Sequence, residues 1–342
     1  MPDSFASKYA AISDGQILSS EEMVSAFDMI MEGECSPVEM ACFLTALRTR
    51  GETPSDIAAG ASILREKATK ISAPDGAIDI VGTGGDGLGT YNISTASALV
   101  LAGCGLSVAK HGNKAVSSKS GAADVLSALG INLDAPFAQV EKALQEAGIC
   151  FLAAQRHHAA MRHVGPVRAE MGMRSIFNLL GPLSNPALVS RIMVGVYDVK
   201  WCRPFAEALS SLGTTHAWIV HGADGLDELS TTGTNQICAL QNGEIREFTL
   251  HPDELDIPVA TIDALKGGDA EANAEALKAV LGGASGAYRD IVLLNVAGAL
   301  VATGYEQDLR SAKSRAEQAI DTGAAKAALA DLVAITNAAP AE

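Results

Sequence analysis

The chain has 342 residues, 48% of them apolar, 19% charged and only 4% aromatic. That balance excludes a disordered segment and allows one large or two moderate globular domains with a sizeable core. A formal charge of −15 disfavours non-specific nucleic-acid binding, and any anionic substrate would need a local positive site or metal ions. Six cysteines, at positions 35, 42, 104, 150, 202 and 238, lack CxxC or metal-like spacing. They read as small buried residues of a reducing compartment. The N-terminus, MPDSFASKYA, has no basic region followed by an apolar run. No signal peptide is therefore expected, and the expected location is cytoplasmic.

Residues 1–70 read as helices. Ser19 with Glu22, and Ser36 with Pro37 and Glu39, form capping boxes ahead of apolar periodic runs. Thr53-Pro54-Ser55-Asp56 repeats the device for a further helix ending near Lys67. The apolar positions Met40, Phe43, Leu44 and Leu47 suit packing on the main domain or on a second subunit.

The α/β pattern begins at Ala77. A short apolar strand runs into GTGGDGLGTYNIST, residues 82–95, and a helix follows. A glycine-rich turn before a helix N-terminus offers backbone N–H groups to an anion. Asp86, Asn92, Ser94 and Thr95 add a carboxylate, an amide and hydroxyls, which suit a sugar phosphate or a metal. No Gly-Lys-Ser/Thr ending is present, and no acidic ribose partner stands about 20 residues on, so neither common nucleotide motif is matched.

A short strand at 107–109 leads to KHGN, residues 110–113, and then to a loop dense in lysines and hydroxyls before a helix at 122–129. Two successive strand–polar loop–helix units predict a parallel sheet with ligands at the carboxyl ends of its strands. An amphipathic helix at 136–147 and a strand at 149–153 follow.

Residues 155–186 break this rhythm with a basic island that holds Arg156, His157, His158, Arg162, His163, Arg168 and Arg174. Strands are then expected at 191–196, 217–220 and 247–249, and mainly helix after Gly268, with 306–333 as one run. HGADGLDELS, residues 221–230, follows a strand and sets Asp227 beside Glu228. Adjacent loop carboxylates suit a hard cation held partly through water and substrate phosphates. No nucleophile–base spacing indicates covalent catalysis. The three loops together fit a metal-bound polyphosphate from which a group departs.

GTGGDGLGTYNIST, KHGN, SSKSG, RHVGPVRAEMGMRSIFNLLGPLSNP and HGADGLDELS, in this order, closely resemble the anthranilate phosphoribosyltransferases of tryptophan biosynthesis. GGDAEANA and RDIVLLNVAGAL also look like that family, and the resemblance covers roughly residues 15–335. It implies an α/β fold: a small all-helical domain plus a large domain with a central, mostly parallel sheet flanked by helices. The implied boundaries are 1–72, with 155–186 re-entering, for the first, and 73–154 with 187–342 for the second. It further implies a homodimer through the helical domain.

The implied reaction joins anthranilate to 5-phosphoribosyl 1-pyrophosphate (PRPP), giving N-(5-phosphoribosyl)anthranilate and pyrophosphate. By resemblance, Gly82, Gly85, Asp86, Thr90, Asn92, Ile93, Ser94 and Thr95 contact PRPP. So do Lys110, His111, Gly112, Asn113, Lys114, Ala115, Val116, Ser117, Ser118 and Ala122. Gly82, Asn113, His158, Arg168 and Gly181 match the anthranilate positions. Ser94, Asp227 and Glu228 match ligands of Mg²⁺, with two ions per site expected. No dedicated catalytic base is assigned, and His111 is expected to be structural, within its loop. Two departures are visible: Ala122 stands where the family usually has serine, and Lys114 where arginine is frequent. The rival readings are a pyrimidine nucleoside phosphorylase-like enzyme and a non-enzymatic nucleic-acid-binding homologue.

Overall fold

The computed structural model describes residues 4–113 and 120–339. Four helices open the chain: α1 (Phe5–Ser13), α2 (Ser20–Glu32), α3 (Pro37–Arg50) and α4 (Pro54–Lys67). The last three start where the sequence says, each on a capping box at Ser19, Ser36 or Thr53. Proline stands at the start of α3 and α4, where its missing N–H costs nothing.

The alternating part runs β1 (Ile78–Gly82), α5 (Ile93–Gly103), β2 (Val108–Gly112), α6 (Ala122–Ala128), α7 (Phe137–Glu146) and β3 (Ile149–Ala153). Then α8 (Ala154–His157), α9 (Met161–Met171) and α10 (Phe177–Leu180) interrupt it. It resumes with β4 (Arg191–Gly195), α11 (Cys202–Ser211), β5 (His216–His221), β6 (Asn235–Gln241) and β7 (Glu244–Leu250). It closes with α12 (Ala270–Leu281), α13 (Ala287–Ala302), α14 (Leu309–Asp321) and α15 (Ala324–Asn337).

The seven strands lie in the order β3-β2-β1-β4-β5-β6-β7, parallel from β3 to β5 and antiparallel over the last two. The strand order reverses between β1 and β4. In an open parallel sheet, that reversal opens a crevice beyond the strands' carboxyl ends.

Side chains alternate across the sheet and so serve two cores. Met193 and Trp218 join α5, α12, α13, α14 and α15 on one face. Ile192, Val194 and Ile219 join α1–α4, α9, α10 and α11 on the other. The helical segment and one sheet face therefore share a single apolar interior. Phe43 meets Phe5 at 5.2 Å and Phe27 at 5.7 Å, and Phe27 meets Phe177 of α10 edge-on at 5.9 Å. The face of Met40, Phe43, Leu44 and Leu47 is thus spent inside this chain, where all four are buried.

Three expectations need correction. β2 extends to Gly112, so Lys110, His111 and Gly112 belong to a strand and not to the loop after it. Both long side chains are buried and bonded, which makes a polar strand end tolerable. β6 was not anticipated. The 306–333 run is two helices, broken at Gly323, whose φ of +80° favours glycine.

Candidate active site

The glycine loop leaves β1 at the reversal point, and the acidic loop after β5 folds across it. Gly82 pairs with Gly195 across β1 and β4, and both lie beneath Asp227. A Cβ on Gly82 would stand 2.2 Å from Asp227 Oδ2, and one on Gly195 would stand 1.6 Å from its carbonyl oxygen. Asp227 Oδ2 accepts the Gly84 N–H at 2.5 Å, and Glu228 Oε1 accepts the Ser94 N–H at 3.1 Å. Asn295 of α13 holds this acidic loop from behind. Its amide accepts from Leu229 N–H at 2.9 Å and donates to the Leu229 carbonyl at 2.7 Å.

Asp227 and Glu228 are each only 8% exposed. Burial, then the nearby charges of Asp86 and Glu228, pushes Asp227 well above the usual carboxylate range. Burial pushes Glu228 up to about 7, against the pull of Lys110, and also raises Asp86. Lys110 sits at 3% exposure, its Nζ donating to the Ile80 carbonyl at 2.7 Å. Burial lowers its pKa, against the pull of Asp79, Glu228 and Asp227. Three half-compensated carboxylates of hard oxygen chemistry fit a divalent cation. Among the described residues, no three His, Cys, Asp or Glu side chains form a closed cation cage. The donors present therefore suit an ion that also takes substrate oxygens and water.

Beneath the loops lies a second buried carboxylate. Asp79 accepts from Asn185 Nδ2 at 2.7 Å and from His111 N–H at 3.2 Å, and burial pushes it up to about 6. Asn185 also donates to the Ala109 carbonyl at 2.8 Å. These bonds tie β1, β2 and the end of the interrupting segment together.

On the other side of the crevice, His111 Nδ1 lies 3.1 Å from the Gly181 carbonyl, and its ring meets His158 edge-on at 5.2 Å. Both rings are buried. His111 Nε2 has no partner among the described residues, and the His158 ring faces the backbone of Leu64 and Ser184. Burial, chiefly, drops His111 to about 3 and His158 to about 4, with the neighbouring His157 ring adding to both shifts. Both are neutral imidazoles at ordinary pH.

Half-buried Arg168 on α9 stacks its guanidinium 5.4 Å from the Phe177 ring. No acidic side chain among the described residues bridges to it. Burial lowers its pKa, but a guanidinium stays charged. It is a cation available to an external carboxylate.

The expected contact residues fall in several settings. Gly82, Gly85, Asp86, Thr90, Asn92 and Ser94 line the first loop and the start of α5, and Gly112, Asn113 and Ala122 lie where β2 gives way to α6. Ile93 puts its side chain in the core, and Thr95 buries a hydroxyl with no partner among the described residues. Lys114, Ala115, Val116, Ser117 and Ser118 lie outside the described residues. The basic island divides. Arg156 serves structure, donating to Leu133 and Ala135 carbonyls over the Phe137 ring. Arg174 stacks 4.1 Å from the Tyr197 ring and donates to the Gly85 carbonyl.

Gly195, Asn295 and Arg174 were missed as site residues. Gly195 sits in an ordinary strand ending, VGVYD, and only the fold puts Asp227 over it. Asn295 was visible as a lone amide in an apolar helix. Arg174 was visible only as one of the island's cations.

The sequence and fold of this chain match those of known proteins. The glycosyl transferase family helical bundle domain matches residues 9–68, and the glycosyl transferase family a/b domain matches residues 74–326. An anthranilate phosphoribosyltransferase of Parvibaculum lavamentivorans is 53% identical over 96% of this chain and 96% of its own length. The crystal structure of that enzyme from Thermus thermophilus superposes with a TM-score of 0.92 at 42% identity, covering 96% of this chain and 99% of that one. The Saccharomyces cerevisiae enzyme, in complex with PRPP and Mg, gives 0.88 at 28% identity, covering 98% and 99%. Sequence over nearly its whole length and fold together place this chain in the anthranilate phosphoribosyltransferase family.

Proposed function

We propose that this chain transfers the phosphoribosyl group of PRPP to the amine of anthranilate, the second step of tryptophan biosynthesis. The anthranilate nitrogen forms a bond to the ribose anomeric carbon. The bond from that carbon to pyrophosphate breaks, and pyrophosphate leaves with the electron pair. The nitrogen's extra proton passes to solvent or to the departing pyrophosphate. The observation that carries this reading is Asp227 lying across Gly82 and against Gly84, which sets cation-type carboxylates directly on an anion-type loop.

The roles follow from the chemistry of each group. Backbone N–H groups of the loop, with Thr90, Asn92, Ser94 and Thr95, hold phosphate and ribose oxygens. Lys110 serves as buried counter-charge to the carboxylates. His111 orients Gly181 from the strand, and residues 112–118 with Ala122 complete the PRPP site. Arg168 pairs with the anthranilate carboxylate, a charge-assisted contact. Gly82, Asn113, His158 and Gly181 flank the ring, with Arg168 and not the neutral His158 supplying the charge that meets the acid. Asp227, Glu228 and Ser94 hold two Mg²⁺ ions per site. Mg²⁺ supplies charge neutralisation to the pyrophosphate. No general base is assigned, since an oxocarbenium-like centre needs only a well-placed weak nucleophile.

The same reading includes the two-part division at residues 72, 155 and 186, a cytoplasmic location and a homodimer through the helical segment. Ile17 and Val38 are 64% and 72% exposed there. No helix among the described residues is long and apolar enough to cross a membrane.

The test follows loss of anthranilate fluorescence with PRPP and Mg²⁺. Arg168→Ala should raise the anthranilate KM about 30-fold, for roughly 2 kcal/mol of charge-assisted bonding. Arg168→Lys should recover only part of it. Absence of turnover by the unaltered chain across a range of metal and pH sinks the reading.

A further inference from the structure

Asn92 stands at the N-cap of α5, where an asparagine ordinarily turns its side-chain oxygen onto the helix's first free N–H groups. It makes no such bond. Its Oδ1 instead accepts from Nδ2 of Asn273 at 2.9 Å, and its Nδ2 faces the Ser120 carbonyl at 3.4 Å.

Both amide orientations are fixed from the ends of this relay. The Gly268 N–H can only donate, and it meets Asn273 Oδ1 at 2.7 Å. Asn273 must therefore present Nδ2 to Asn92, which must answer with oxygen. The Asn92 amide nitrogen is then left for the Ser120 carbonyl, which can only accept. Asn273, in the first turn of α12, is 2% exposed. A Cβ on Gly267 would stand 2.8 Å from both Asn273 Oδ1 and the Thr90 carbonyl, so the relay is close-packed against the glycine loop. The loop is strapped to the same segment by Gly267 N–H to the Gly89 carbonyl at 2.9 Å and Tyr91 N–H to the Leu265 carbonyl at 3.0 Å.

The consequence lies at the start of α5. The first N–H groups of a helix have no internal acceptor and carry the positive end of its dipole. Here one of them, on Ser94, is taken by Glu228. The Asn92 side chain, which would compete for the rest, is held elsewhere.

We propose that Asn273 is a positioning residue for PRPP. It holds Asn92 off α5, so that the helix's N-terminal N–H groups stay available to phosphate oxygens, and through Asn92 it joins the first substrate loop to the exit of the second. This rests on the assignment of PRPP to the glycine loop.

The test is calorimetric titration of PRPP with Mg²⁺ into the full chain, alongside steady-state kinetics. Asn273→Ala should weaken PRPP about tenfold and leave the anthranilate KM within twofold. Asn92→Ala removes the competing side chain together with its link to Ser120, so it should weaken PRPP less than Asn273→Ala does. The double variant should be no weaker than Asn92→Ala alone, because the relay acts only through Asn92. Should Asn273→Ala not fold, Asn273→Asp keeps the acceptor for Gly268 but loses the donor to Asn92, and is read by the same criteria. PRPP affinity within twofold of the unaltered chain, additive effects in the double variant, or equal rises in both KM values overturn the proposal. An unaltered chain that does not bind PRPP overturns the functional reading together with it. One that binds PRPP equally well with and without Asn273 overturns this proposal alone.

Discussion

Gly82 and Gly195 face each other across the point where the sheet's strand order reverses, and Asp227 crosses above both. Neither has a positive φ, so space and not backbone freedom demands glycine here. What each glycine faces differs. Gly82 meets first the Asp227 carboxylate, a side chain that can turn away, whereas Gly195 meets the Asp227 backbone.

The two alanine variants should therefore fail differently. Gly82→Ala should keep the fold and displace the carboxylate, losing most Mg²⁺-dependent turnover with little change in Tm. Gly195→Ala must move backbone and should cost about 3 kcal/mol or more of stability. Gly84→Ala meets nothing within 4 Å but holds φ at +68°, and should cost about 1 kcal/mol. Urea denaturation with parallel activity assays separates the three. Equal destabilisation by Gly82→Ala and Gly195→Ala would contradict the distinction.

Removing a charge from the acidic pair should trade activity for stability. Asp227→Asn relieves a buried carboxylate crowded by Asp86 and Glu228. In EDTA it should be more stable than the unaltered chain by about 1–2 kcal/mol. In Mg²⁺ its kcat/KM should fall at least about 100-fold, equivalent to roughly 2.7 kcal/mol of transition-state binding. Glu228→Gln should lose activity in the same direction. EDTA should abolish turnover by the unaltered chain, and added Mg²⁺ should restore it.

The buried His158 makes a pH-dependent contribution of known sign. Its folded pKa of about 4 lies below the unfolded value near 6.5. The unfolded chain therefore binds more protons between those values. Stability contributed by this group is present above 6.5 and is lost as pH falls towards 4. Asp79, pushed up to about 6, acts in the opposite sense, so the effect is read as a difference. The stability of the unaltered chain minus that of His158→Gln should fall by about 2 kcal/mol from pH 7.5 to 5. A flat difference in urea denaturation at the two pH values would show that His158 is free to protonate in the folded chain.

Ala122 opens α6 at the mouth of the second loop. Ala122→Ser installs a hydroxyl at a position that the resemblance assigns to the PRPP site. It should lower the PRPP KM about fivefold, for roughly 1 kcal/mol of hydrogen bonding. An unchanged KM refutes that contact.

Features set by neighbouring residues were legible in the sequence. The capping boxes at Ser19, Ser36 and Thr53 each start a helix because cap and partner are three residues apart. Features that depend on distant contacts were not. β6 carries asparagine and glutamine at its ends, and its apolar centre Ile237–Leu240 is too short to show a period. Lys110 and His111 look like loop residues until Ile80, Asp79 and Gly181 come in to bond them. The site followed the same rule. Asp86, Asp227 and Glu228 were visible as loop carboxylates, whereas Asn273 acts only through a bond spanning 181 positions.

The interrupting segment also sets an order on synthesis. Val164, Val167, Ile176, Phe177, Leu179 and Leu180 share the core of α1–α4, yet roughly a hundred residues of other structure separate the two groups. On a ribosome adding 5–20 residues per second, the first four helices wait roughly 6–23 s for that apolar lid. During that interval Phe27 lacks Phe177, its edge-on partner on α10. Newly made N-terminal fragments should therefore be the form of this protein most dependent on chaperones.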